Sequence, residues 1–163
     1  MFSIDRVERK AQIWGMKNRI TQIAALVVVT ASAAFAHSGV KDPQVLARMH
    51  VMGLVADDME DLGGILKGQA PYDDQFVRDR STRILEHARQ IEALFEPEAT
   101  DPKTEAKDTI WTDWPGFLEK ARDMELAAQG LTEVQSEAEF RQAFAALGKT
   151  CSACHADYRI KLN

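Results

Sequence analysis

The chain has 163 residues, 45% hydrophobic and 28% charged, with 20 Lys+Arg against 25 Asp+Glu and a net charge of −5. That length suits one core, and the acidic balance leaves no basic face to track phosphates, so nucleic acid is not an expected partner. An acidic balance of this kind suits either a protein partner with a basic docking face or simple solubility.

Taken in chain order, "MKNRITQIAALVVVTASAAFA" (Met16 to Ala36) is a basic stretch, an apolar run and then Ala34-Phe35-Ala36. This is the layout of a secretory signal peptide with an A-x-A cleavage site. Residues 1–36 are expected to be removed, leaving a mature domain of residues 37–163 that begins at His37. A membrane anchor is the alternative. The apolar run from Ile23 to Ala36 has 14 residues, short of the roughly 20 that span a bilayer. Export therefore implies a periplasmic protein with no membrane attachment after cleavage. Because the signal is complete from Met16, that residue is an expected translation start. From His37 onward 15 Lys+Arg face 23 Asp+Glu, a net charge of −8.

The mature region shows 3.6-residue periodicity and no period-2 alternation, which predicts an all-α fold. Helix A is capped by Asp42, carries Pro43 in its first turn and stops at Gly68. Its predicted inner stripe is Val45, Met49, Met52, Ala56, Met59, Gly63 and Leu66, with His50 turned outward to solvent. Helix B opens at Pro71-Tyr72-Asp73-Asp74 and buries Val77, Ile84, Ala88, Ile91 and Phe95. "EPEATDPKTEAKD" (Glu96 to Asp108) contains two prolines and no large apolar residue, so it reads as a solvated loop. Helix C begins near Asp113, accepts Pro115 in its first turn and buries Phe117, Ala121, Met124, Ala128 and Leu131. Helix D opens with a capping box, Ser136 to Glu139, and runs Phe140, Phe144, Leu147, Cys151, Cys154 and Tyr158 along one face. Four such helices with short loops predict an antiparallel up-down-up-down bundle.

The chemistry concentrates in "CSACHADYR" (Cys151 to Arg159), which holds both cysteines of the chain. Cys151, Cys154 and His155 occupy positions i, i+3 and i+4, so a helix projects all three from one patch. C-x-x-C-H is the signature of covalent c-type haem attachment, with two thiols for the vinyl groups and an imidazole for the iron. The alternatives fit less well. A thioredoxin-like pair expects a helix N-terminus and a βαβ context. A zinc site lacks an obvious fourth ligand among His37, His50 and His87. A disulfide within one helix is poorly placed.

On these residues, together with "RMHVM", "KGQAPYD" (Lys67 to Asp73) and Ile110-Trp111, the chain resembles the class II c-type cytochromes, the cytochrome c-prime family. The resemblance covers essentially all of residues 37–163. It implies one covalently attached haem c near the C-terminal end of the last helix, held by Cys151 and Cys154 with His155 as proximal ligand. It also implies Arg159 beside the proximal face, Arg48 near a propionate, Trp111 and Tyr72 in packing roles, and Met52 over the distal face of the iron. Gas-binding members usually carry leucine or another non-ligating residue at that place. The low-spin branch carries methionine and uses it as sixth ligand, so the resemblance implies that branch. The implied function is electron transfer by a His155/Met52-ligated iron, not catalysis. The alternative is a five-coordinate iron that binds nitric oxide or carbon monoxide. Redox partner proteins are implied. Family members also form homodimers through helices A and B, against which stands the acidic cluster Asp57, Asp58, Glu60 and Asp61.

Overall fold

The computed structural model describes residues 39–161; the expected signal segment and the boundary at His37 lie outside them. The described part forms its own compact unit. Six helices follow in order: α1 (Pro43–Leu66), α2 (Asp74–Ala88), α3 (Ile91–Phe95), α4 (Thr109–Thr112), α5 (Trp114–Thr132) and α6 (Glu137–Tyr158). The long helices α1, α2, α5 and α6 are the four predicted ones, and the bundle is their antiparallel packing. α1 packs along α2, α2 along α5, and α5 along α6. The fourth side, between α6 and α1, has little direct backbone contact.

Local chemistry explains each boundary. Asp42 Oδ1 accepts from the backbone N–H groups of Gln44 and Val45, at 2.8 and 2.9 Å, and starts α1. Gly68 ends it with φ +70°, a left-handed conformation that glycine adopts without a Cβ penalty. Asp73 caps α2 by accepting from Phe76 N at 2.7 Å. Ser136 Oγ accepts from Glu139 N, and Glu139 Oε2 accepts in return from Gln135 N at 2.8 Å. The predicted helix B is interrupted at Arg89–Gln90. There the Gln90 side-chain amide donates to Glu86 O, the carbonyl its backbone N–H would take in an α-helix, and that N–H turns to His87 O instead.

The core runs through Leu62, Ile84, Ala128, Leu131, Phe140 and Leu147, each fully buried. All five residues predicted for helix C are buried. Helix A differs from expectation. Its buried stripe is Val45, Arg48, Val51, Val55, Asp58, Leu62 and Ile65, one residue out of phase with the predicted one. Both stripes are apolar enough to pack. The first faces α2 and the core, while Met49, Met52, Met59, Gly63 and Leu66 are only half-buried beside it and Ala56 is exposed.

The acidic cluster on α1 is also less of a surface than its composition suggests. Asp58 is buried and paired with Arg80 and Arg83 of α2, and Asp61 lies 3.0 Å from Arg80. These pairs tie α1 to α2 and neutralise half of the cluster, so it weighs less against a helix A–helix B contact between copies than its composition implies.

Candidate functional site

The last two turns of α6 carry Cys151 and Cys154, both free and half-buried, and the exposed His155. Burial is the main cause raising both thiol pKa values. For Cys154 the value reaches about 11, with Cys151 and Asp157 adding and Lys120 opposing. A redox-active dithiol depends on a lowered thiol pKa, and these move the other way. His155 shifts in the opposite sense: desolvation, then Arg159, lowers its pKa against a smaller pull from Glu105. A neutral imidazole with a free lone pair is the form that ligates iron. The donor set therefore fits a covalently held haem, with two uncharged thiols and a neutral imidazole on one helical patch.

Two contacts fix the end of α6. Buried Tyr158 packs edge-on against Phe117 at 5.4 Å and donates its hydroxyl to Asp113 Oδ2 at 2.6 Å. The hydroxyl and carboxylate approach so closely over Gly116 that a Cβ there would lie 2.5 Å from Asp113 and 2.7 Å from the Tyr158 oxygen. Beyond Tyr158 the chain becomes extended, and Arg159 pairs with Ala106 as a single antiparallel bridge. Arg159 also forms an ion pair with Glu105, its Nε 2.7 Å from Oε2.

The opposing wall comes from α1. A Cβ built on Gly63 would lie 3.8 Å from Phe144 Cζ, so Gly63 of α1 and Phe144 of α6 face each other. Met52 lies 11 residues before Gly63, and His155 lies 11 residues after Phe144. Eleven residues is about three helical turns, roughly 16 Å of rise, and returns each side chain to its original face within about 20°. Ideal antiparallel helices with those intervals bring Met52 and His155 to one height and onto facing sides. Met59 lies seven residues further along α1, about 10 Å below that level.

Arg48, expected near a propionate, has another set of partners in the structure. Its buried guanidinium donates Nε to Leu94 O at 2.9 Å, Nη1 to Ala99 O at 3.1 Å, and Nη2 to Pro97 O. It stacks against Phe95 and Trp111, 4.8 and 5.1 Å from the ring centroids. Trp111 donates Nε1–H to Phe95 O at 2.8 Å, while Tyr72 packs on Phe140, so both aromatics take the packing roles expected of them. His50 is exposed. Sequence reasoning missed Glu105, Ala106 and Asp101, because nothing in a polar, proline-containing stretch signals which backbone groups it will meet.

With that geometry in view, the family comparison is decisive: residues 43–159 match the family model described as Cytochrome C'. The chain belongs to the cytochrome c' family. It is 29% identical to cytochrome c' of Rhodopseudomonas palustris over 150 residues, covering 90% of this chain and 99% of that one. It is 33% identical to cytochrome c-556 of Agrobacterium tumefaciens over 118 residues, covering 71% and 93%. Among solved structures it resembles a nitric oxide complex of a mutant cytochrome c prime from Alcaligenes xylosoxidans. That match has 26% identity and a TM-score of 0.68, and covers 73% of this chain and 94% of that one. The cofactor of the cytochrome c' family is one covalently attached haem c. Among the described residues, no helix is long and apolar enough to cross a membrane.

Proposed function

We propose that this cytochrome c' family member is a periplasmic monohaem electron carrier, with Cys151 and Cys154 holding the haem and His155 and Met52 as its axial ligands. What supports this reading is the matched 11-residue interval from the Gly63–Phe144 contact, which on antiparallel helices sets Met52 opposite His155. The haem supplies a redox-active iron. The protein's part is to keep the His155 imidazole neutral and anchored on α6, and to present a thioether from α1. His155 and Met52 together would keep rearrangement between oxidation states small, and a thioether among the ligands would stabilise the ferrous form. The residues on this side of α1, Met49, Met52, Ala56 and Met59, carry no group that would handle protons, so we assign no catalysis. Partners would be redox proteins that dock near the end of α6.

A second reading has its own support. Relatives named cytochrome c', and the nitric oxide complex among the similar structures, weigh towards an open iron with Met52 packing over it and a gas-binding role. Absorption spectra of the purified ferric and ferrous protein separate the two. Low-spin spectra in both states support Met52 ligation; high-spin spectra in both move the function to gas binding.

A further inference from the structure

α1 and α6 carry the two facing residues yet have little direct backbone contact. Both are gripped by the segment from Leu94 to Lys107, most of which (from Glu96 on) reads in sequence as a solvated loop.

Its first half grips α1. The carbonyls of Leu94, Pro97 and Ala99 hold the buried Arg48 guanidinium. Asp101, itself buried, accepts from Lys41 N at 2.8 Å and Asp42 N at 3.2 Å, the two residues that lead into α1. Its second half grips α6. Lys107 N donates to Tyr158 O at 2.9 Å, and Ile160 N donates to Glu105 O at 2.7 Å. Lys107 Nζ donates to Asp157 O at 2.9 Å, and Glu105 pairs with Arg159. Asp101 joins the halves by accepting from Lys103 N at 2.9 Å.

The anchors lie beyond the facing pair at both ends: Arg48 is four residues before Met52 and Asp42 ten before it, while Tyr158 is three after His155. We propose that Leu94–Lys107 is a strap that sets the spacing of α1 and α6, and so how closely Met52 approaches the iron carried by His155. Asp101 and Glu105 are then positioning residues. They touch no ligand, but each holds one end of the span. A thioether is a weak ligand, so a small outward shift of α1 would open the distal face. The proposal rests on Met52 standing over the iron, whether as ligand or as lid.

The test uses the haem-loaded protein with Asp101→Ala and Glu105→Ala, singly and together. Carbon monoxide association to the ferrous form and the ferric spin state are read well below the unfolding temperature. Unfastening either end should speed association roughly tenfold, the effect of a tenfold rise in the open population. The double variant should show more high-spin ferric iron if wild type is low-spin. Leu131→Ala, which leaves a cavity at the far end of the bundle, is the control for general loosening and should leave the association rate alone. An unchanged rate in the strap variants, or an equal rise in the Leu131 control, overturns the strap. The wild-type spin state alone decides whether Met52 ligates, so the two ideas fail separately.

Discussion

Met52 of α1 and His155 of α6 each lie 11 residues from the point where Gly63 meets Phe144. Height and direction agree together, because that interval is close to three whole turns. Met52→Ala should therefore turn a low-spin protein high-spin and admit carbon monoxide to the ferrous form. Met59→Ala is the matched control, since its half-buried side chain sits about two turns away along α1. It should cost about 1–2 kcal/mol of stability and leave the spectrum unchanged. A spectrum indifferent to Met52→Ala would assign Met52 to packing and favour the gas-binding role.

Covalent attachment makes a separate prediction. With thioethers from both Cys151 and Cys154, haem stays with the polypeptide through denaturation and acid-acetone extraction. Cys151→Ala combined with Cys154→Ala should abolish that retention. Intact mass of the mature protein should correspond to a chain beginning at His37 plus one haem. Free thiols or a Cys151–Cys154 disulfide in the mature protein would contradict the attachment.

The fold was largely legible because its signals are local. Asp42, Asp73, Ser136 and Gly68 act within one turn, and the apolar spacing of Phe117, Ala121, Met124, Ala128 and Leu131 is enough to orient α5. Phase failed on α1, where two adjacent apolar stripes compete and sequence alone does not say which one meets α2. Buried Arg48 and Asp58 belong to the winning stripe, and a hydrophobicity pattern cannot select charged residues whose partners are distant. Leu94–Lys107 was illegible for a related reason. Its function is carried by carbonyls and amides, which every residue possesses, and by contacts to segments roughly 50 residues away that no local rule reaches.

The Tyr158–Asp113 bond gives a prediction about stability at the foot of α6. A hydrogen bond to a carboxylate contributes about 1.5–3 kcal/mol, so Tyr158→Phe should lower the urea midpoint measurably. Gly116→Ala should do so as well despite the better helix propensity of alanine, since its Cβ would enter space held by both partners. Each substitution breaks the same bond, so the double variant should be less destabilised than the two single effects added together. Strict additivity would show that Gly116 and Tyr158 act independently.

Acid sensitivity should trace in part to Asp101. Backbone N–H groups of Lys41 and Lys103 are the largest causes holding its pKa below the usual carboxylate value, with Asp42 N adding and burial opposing. A folded-state pKa below the unfolded value means that the carboxylate stabilises the fold above about pH 3.9. This contribution is lost as pH falls through the lowered folded value. Asp101→Asn retains one oxygen for donors that now use two, so the variant should be less stable at pH 7. Its stability should also fall less steeply than that of wild type below about pH 4. Urea midpoints for both proteins at pH 7, 4 and 3 check this directly. If the gap between them stays constant down to pH 3, then Asp101 holds the strap by shape and hydrogen bonding without its charge.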